Sequence, residues 1–461
     1  MKINKVYTCL LLSITVVLLS GCKKFLDITG QTSNVNPTTV KDFQEILNSD
    51  SLARCQYFLL DVMSDDVQLT DNQRTLLSTF YNRAYLYGSQ VWNAAENDII
   101  YNTTYARILQ MNIILSNIDD APNDESNTIE NKSNVISQAL IHRAFFYLQL
   151  VNAYGPSYDS ATATTDLGVP LTLSPDISAL LARASVEDVY NQILTDLQRA
   201  VENPYLPSKG SDVIHPGKAA GFALLARTYL YKGDYTNAER YADSTLARVN
   251  TLQNYTSSSY VAPVQSIDLS RNPEILMGKI TADAGFYLYY ATSFRPSPSL
   301  TSIFQTTDAR FTKRFTFNAY NLSTAISGTY VFDNSVGIAE TMLIKAECRA
   351  RAGAFSEAGN LLNNLRITRM STLDARTYTA QNILSYVFSE RRRELFCHGG
   401  LRLFDIKRLN KTSDYQVSIE RRSVTGNTLL TTILPGSAGY LVPFASIVLA
   451  ANPNIIQNPR P

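Results

Sequence analysis

The sequence predicts a mainly α-helical fold built from paired helices, interrupted by one loop-rich, partly β insertion. Three observations carry this expectation. Apolar residues recur at helical spacing over 135–151 and 189–201. The segments 223–246 and 343–366 repeat one hairpin-like pattern, and the stretch 251–335 between them turns to aromatic and β-branched runs broken by Pro, Ser and Thr.

The first element is a leader. Lys2 and Lys5 precede an apolar run from Val6 to Leu19, followed by small residues. This order is that of a secretory signal, and the run is too short for a spanning helix, which needs about 20 apolar residues. Leu19-Ser20-Gly21-Cys22 resembles the bacterial lipobox, which implies cleavage after residue 21 and a lipid on the thiol of Cys22. The chain has 41 Lys and Arg against 40 Asp and Glu, and two of the lysines lie in the leader. A near-neutral surface argues against nucleic acid and against electrostatic membrane adhesion, because both need a basic face. Attachment to a membrane therefore rests on the Cys22 lipid. Cys55, Cys348 and Cys397 are too scattered for a disulfide framework or a metal knuckle and are expected to be buried thiols.

The helices come next. Val135, Ile136, Ala139, Leu140, Ala144, Tyr147, Leu148 and Val151 form a 3.6-residue stripe, which Gly155 and Pro156 terminate. Ser185 and Asp188 form a start resembling a capping box for a helix whose face is Val189, Ile193, Leu194, Leu197 and Val201. Asn203-Pro204 stops it. The segments starting at Ala223 and Leu343 align without a gap: Ala226 with Ala346, Gly233 with Gly353, Tyr235 with Phe355 and Ala238 with Ala358. They resemble tetratricopeptide hairpins. Alanines let two helices approach, the glycine makes the short turn, and the aromatic wedges into the crossing. Their wide separation predicts a helical scaffold interrupted by insertions instead of a tandem solenoid. Within 251–335, "GFYLYY" at 285–290 and "RFTKRFTF" at 310–317 alternate as half-buried strands do. No composition shift marks a linker, so residues 22–250 and 251–461 are read as two regions of one structural unit.

Enzyme signatures are absent from the sequence. His142, His215 and His398 lie far apart with no HExxH pair, and GxGxxG, GxxxxGK[ST] and GxSxG do not occur. No catalytic residue, metal or cofactor is assigned. Tyrosine is abundant, 27 against the single Trp92, and supplies flat apolar faces with a hydroxyl, suited to stacking on sugar rings or gripping a peptide.

Several stretches together resemble one family: "CKKFLD" at 22–27, "AFFYLQLVNAYG" at 144–155, "LGVPL" at 167–171 and "SVEDVYNQILTDLQRAVENPYLP" at 185–207. "DARF" at 308–311, "ERRRELFCHGGLRLFDIKRL" at 390–409 and "YLVPFASIVLAANPNIIQNP" from Tyr440 continue the series. In this order they resemble the SusD/RagB family of Bacteroidetes surface lipoproteins. The resemblance implies a SusD-like fold of tetratricopeptide-like hairpins under a loop-rich binding face, at the extracellular side of the outer membrane. It further implies a SusC-type TonB-dependent transporter as partner and an oligosaccharide, or in some members a peptide, as cargo. No bond is broken in that scheme. Two departures stand out: Cys397-His398-Gly399-Gly400 replaces the family's usual glutamate-glycine step, and a single Trp differs from starch binders that stack on several. Arg391, Glu394, Arg402 and Asp405 are read as paired structural charge.

The expected ligand contacts are stacking faces at Trp92, Tyr287, Tyr289 and Tyr290 and hydrogen-bonding groups at Asp71, Asn72, Arg74 and Asn93. Alternation puts Tyr287 and Tyr289 on one strand face and Tyr290 on the other. Three other readings compete with glycan capture: peptide capture on the same architecture, a protein-interaction scaffold, and a lipid-anchored glycosidase, whose paired carboxylates no pattern singles out.

Overall fold

The structure is a computed structural model and describes residues 36–460, apart from 77–78, 261–270, 282–293, 315, 319–320, 324–331 and 413–414. Residues Thr39–Pro461 form one unit. It is mainly α-helical, with short two- and three-stranded sheets.

Helix α1 (Val40–Leu47) opens on a capping box in which Thr39 and Asp42 each satisfy the other's backbone N–H. Strand β1 (Arg54–Cys55), helix α2 (Phe58–Val62), strand β2 (Val67–Leu69) and the short helices α3 (Asp71–Leu76) and α4 (Phe80–Tyr85) follow. Two long helices then build the middle of the core: α5 (Ile99–Asn117), capped by Asp98, and α6 (Ile129–Tyr154), capped by Thr128. The predicted stripe on α6 proves too narrow a description, since every residue from Ser137 to Tyr154 is buried. Over these residues the helix, packed against α1, α5, α7 (Val186–Glu202) and α8 (Lys218–Lys232), has no solvent side. Two of its charged or titratable side chains find partners inside. Arg143 forms two hydrogen bonds to Asp196, at 2.8 and 2.7 Å, and one to Asn112. His142 bridges the Ile214 carbonyl and the buried Lys279 ammonium. Gly155 ends α6 as expected, donating to the Val151 carbonyl. Strands β3 (Leu167–Pro170) and β4 (Arg183–Ser185) pair before α7, whose start is capped by Ser185.

The two repeated segments are helical hairpins: α8 with α9 (Tyr235–Leu246), and, further on, α11 (Ile338–Arg351) with α12 (Phe355–Arg366). Gly233 and Gly353 sit in the left-handed region at φ 76° and 80°, and a Cβ there would touch nothing. Glycine is needed at both turns for backbone conformation, not for space. Ala226, Ala238, Ala346 and Ala358 are all buried at the crossings. Although 120 positions apart in sequence, the hairpins stack directly, α9 against α11, and Glu239–Arg349 (3.1 Å) and Asp243–Lys345 (2.6 Å) pair across the seam. The chain between them loops out and returns, as the interrupted-scaffold reading expects.

That intervening chain is clamped to the N-terminal region by strand pairing. Strand β5 (Ile275–Met277) pairs with β11 (Val336–Gly337), and β6 (Ile280–Thr281) joins β1 and β10 (Phe332–Asp333). Strand β7 (Phe294–Pro296) lies antiparallel to β2, while β8 (Thr316–Asn318) and β9 (Asn321–Ser323) form a hairpin. The "RFTKRFTF" stretch is corrected: Ala309–Arg314 is helix α10 and strand begins only at Thr316. Alternation fails there because Arg310 points into a buried charge cluster, so its environment is set by distant carboxylates and not by a pleated sheet. Helices α13 (Ile383–Glu394), α14 (Leu401–Leu409) and α15 (Ser446–Ala451), with the hairpin β12 (Ile419–Arg422) and β13 (Leu429–Ile433), complete the unit. The Cys397–Gly400 turn between α13 and α14 has positive φ at Cys397, Gly399 and Gly400, and a Cβ on Gly400 would meet Leu60 at 2.5 Å. Cys55, Cys348 and Cys397 are free and buried, as expected.

Candidate functional site

The candidate face is assembled around α4. Asn82 donates to the Arg74 carbonyl at 2.7 Å, holding α3, and Arg83 Nε donates to the Val91 carbonyl at 2.7 Å and pairs with Glu96, holding the loop 87–97. The β12–β13 hairpin closes the third side. Asp71 accepts from the backbone N–H groups of Val424 (3.0 Å) and Thr425 (2.7 Å) at its tip, and Arg421 donates to the Tyr85 and Val62 carbonyls beneath. The predicted residues Asp71, Asn72 and Arg74 on α3 and Asn93 on the loop 87–97 are thus tied to α4, through its adjacent residues Asn82 and Arg83. The Thr425 and Val424 N–H groups hold the Asp71 carboxyl below its ordinary range. Asn72 is exposed, and exposed Asn93 is oriented by Glu96, which accepts from both its backbone and side-chain N–H groups.

Trp92 requires a correction. It is 5% exposed, its ring packs 5.1 Å from Phe80, and its indole N–H donates to the Pro443 carbonyl at 2.7 Å. A ring so covered offers no open face to a sugar, and its polar edge already has a partner. Trp92 therefore braces the loop that presents Asn93. Tyr287, Tyr289, Tyr290 and Cys22 lie outside the described residues.

Beneath this face lies a network of buried charge. Arg391 pairs with Asp405 (2.7 Å) and Glu340 (3.2 Å), and Arg402 with Asp65 (2.7 Å). Glu394 is shared by Arg310 and Arg369, so the four charges read from sequence as structural are all paired. Sequence reasoning did not reach Asp308, Glu274, Glu390 or Arg369, which complete the cluster. Asp65 and Asp66, tied to Arg392, fix the chain just before β2. Burial raises Asp61 to about 8 and Asp98 to about 7, in the second case against hydrogen bonds from Tyr154 and the Tyr101 N–H. Both carboxyls are structural, the first accepting from the Gly400 N–H and the second capping α5.

A cleft of about 270 Å³ opens between α14 and the segment 436–441. Lys407 reaches its wall, donating to the Asn152 and Gly155 carbonyls, and burial pushes the ammonium down to about 7. The signal that could have marked Lys407 in sequence is its place among apolar neighbours at helical spacing in "LFDIKRL". Among the described residues, no cluster of His, Cys, Asp and Glu is arranged to hold a metal ion.

Comparison with known proteins adds to this geometry. A family model described as "Starch-binding associating with outer membrane" matches residues 24–230, and the model of the SusD family matches residues 338–460. A curated relative, SusD-like protein P2 of Formosa agariphila, is 35% identical over 115 residues, 24% of this chain and 20% of that protein, so the match spans one fifth of the relative's length. A SusD superfamily protein from Bacteroides thetaiotaomicron superposes with a TM-score of 0.73 at 21% identity, covering 92% of this chain and 100% of the other. A putative sugar binding protein from Bacteroides vulgatus gives 0.73 at 20%, covering 92% and 99%. The surface glycan-binding protein A from Bacteroides uniformis gives 0.66 at 17%, covering 91% and 99%. At such identities the likeness is one of fold.

Proposed function

Since this chain belongs to the SusD/RagB family, a family of glycan-binding surface proteins, we propose that it is a non-catalytic surface lipoprotein that captures an oligosaccharide and delivers it to a SusC-type TonB-dependent transporter. The observation that carries this reading is the pair of family matches at 24–230 and 338–460, in order along one chain. They flank residues 231–337, which hold the loop-rich insertion, where cargo selectivity would reside. The protein is held at the outer face of the outer membrane by a lipid on Cys22.

In this reading Asp71, Asn72, Arg74 and Asn93 supply oriented hydrogen bonds, and Tyr287, Tyr289 and Tyr290 supply stacking faces. Phe294, the first described residue after the tyrosine-bearing segment, pairs opposite Leu69, two positions before Asp71. Rigid donors and acceptors held by α4 and the β12–β13 tip lose little entropy on binding, which suits a weakly apolar, hydroxyl-rich ligand.

Titration calorimetry of soluble Cys22→Ser protein against panels of oligosaccharides and oligopeptides tests the cargo. At least one glycan is expected to bind, weakened by Arg74→Ala and by Asn93→Ala. Binding of peptides with none of the sugars would replace glycan by peptide capture. For location, protease added to intact cells is expected to degrade the protein; full protection would refute surface exposure.

A further inference from the structure

A second concavity, about 280 Å³ in volume, runs along the first turns of α5, between it and the segment 170–181 that follows β3. Tyr101 and Tyr105, one turn apart, line it side by side with ring centroids 4.3 Å apart. The Tyr105 phenol donates to the Pro170 carbonyl at 2.6 Å, which fixes its ring. Tyr101 is wedged edge-on against Tyr154 and Phe444, at 6.1 and 5.9 Å, yet its hydroxyl has no hydrogen-bond partner among the described residues. The opposite wall is pinned as well. Asn112 donates to the Thr172 and Ser174 carbonyls, and Asn452 to that of Leu181, so the wall is held by its backbone, and the Thr172 and Ser174 hydroxyls have no hydrogen-bond partner among the described residues. Among the described residues, Asp176 is the only charged one in the lining, and no Lys, Arg or His lines the groove.

We infer that this groove is a second carbohydrate subsite, distinct from the Asp71–Asn93 face, and that it takes a neutral pyranose ring. The inference rests on the glycan reading above. Two aromatic rings in a fixed wall match the apolar face of a sugar, and three unengaged hydroxyls match its rim. A carboxylated or sulfated sugar would meet no cation and one carboxylate. A purely apolar ligand would leave the Tyr101 hydroxyl covered and unpaired, at a cost that a sugar hydroxyl removes. The volume is at the small end for ligand pockets, so the site suits a chain end or a branch. The loop 92–97 runs directly into α5, and a glycan long enough to reach from Asn93 to Tyr105 would occupy both sites. Its apparent affinity would then exceed that of either site alone. Ile177 (84% exposed) and Leu180 beside the groove could instead belong to a protein-docking surface, and the experiment separates the two.

The probes are maltohexaose, cellohexaose, xylohexaose and laminarihexaose, with calorimetry for affinity and hydrogen–deuterium exchange for location. Ala106, exposed on the groove wall, is replaced in Ala106→Trp to fill the groove without removing a core side chain. A sugar that binds wild type is expected to bind this variant about tenfold more weakly, the equivalent of one lost stacking contact. The milder Ser174→Ala is expected to lose about threefold, the equivalent of one hydrogen bond. The same sugar, at concentrations that saturate each protein, is expected to slow exchange across 171–181 both in wild type and in the weaker-binding Arg74→Ala. Unchanged affinity in a folded Ala106→Trp together with unchanged Ser174→Ala overturns the groove assignment and leaves the glycan reading standing. So does protection of 171–181 by a protein partner but by no sugar. Failure of every sugar to bind wild type overturns both.

Discussion

Replacing Arg310 by methionine removes a guanidinium that serves three buried carboxylates. Arg310 and Arg369 are 0% exposed. Arg310 makes two hydrogen bonds to Asp308, at 2.9 and 2.7 Å, and stands 2.7 Å from both Glu390 and Glu394. Glu394 keeps Arg369 and Glu390 keeps Arg393, but Asp308 keeps, besides the backbone N–H of residue 310 at 3.0 Å, a single cation among the described residues, Arg393 at 4.0 Å. Breaking one buried pair strands a charge at a cost of about 3 to 5 kcal/mol. The ionisation of Glu390, which Arg310 and Arg393 favour jointly, sets the sign of the pH dependence. Burial alone would raise Glu390, yet Arg310 and Arg393 hold it at about 2, and the fall from 4.5 corresponds to about 3 kcal/mol at neutral pH. The pH dependence follows from the sign. In wild type the folded value lies below the unfolded one, so this stabilisation is complete above about pH 4.5 and is lost as pH falls toward 2. In Arg310→Met burial acts on the Glu390 carboxyl with one of its two cations gone, which raises its proton affinity in the folded state, so the loss of stability shrinks as pH falls from 7 to 5. Urea unfolding at both values, followed by circular dichroism, is expected to show a loss of about 3 to 5 kcal/mol at pH 7 that shrinks clearly at pH 5. A loss under about 1 kcal/mol at pH 7, or equal losses at both, would refute the view that this cluster binds α10 to α13.

Trp92→Phe keeps the packing on Phe80 but orphans the Pro443 carbonyl; urea unfolding is expected to show a loss of about 1 to 2 kcal/mol, with glycan affinity unchanged by calorimetry. Asp71→Ala is expected to accelerate amide exchange at Val424 and Thr425, read by hydrogen–deuterium exchange, because the two N–H groups lose their acceptor. Burial lowers Lys279 to about 8 from 10.5, so the unfolded chain binds the extra proton. Wild-type stability is expected to gain from this group as pH rises from about 8 to 10.5, and Lys279→Met to remove that part of the slope, as measured by urea midpoints across the range. Cys22→Ala is expected to move the protein from the detergent-rich to the aqueous phase in a Triton X-114 partition.

What the sequence made legible was local. Caps at Ser185 and Gly155, the hairpin glycines at 233 and 353 and the alanine crossings follow from rules that act within a few residues, and all stand where expected. Trp92 shows where such rules stop. Its type announces a large apolar surface with one donor but not which way it faces, and the acceptor that settles the matter, Pro443, lies 351 positions away. Arg310 fails for the same reason: its neighbours alternate like a strand, while its long-range partners are Glu390 and Glu394, the latter 84 positions off. The groove on α5 was invisible for a related cause, since Tyr101 and Tyr105 read as one more helical aromatic pair until the segment 170–181, pinned by Asn112 and Asn452, is set opposite them. In a scaffold whose hairpins stack across an insertion of such length, the residues that define a binding surface are those whose surroundings come from elsewhere in the chain. Residue type narrows the candidates, and the returning chain decides which of them become core and which remain open to ligand.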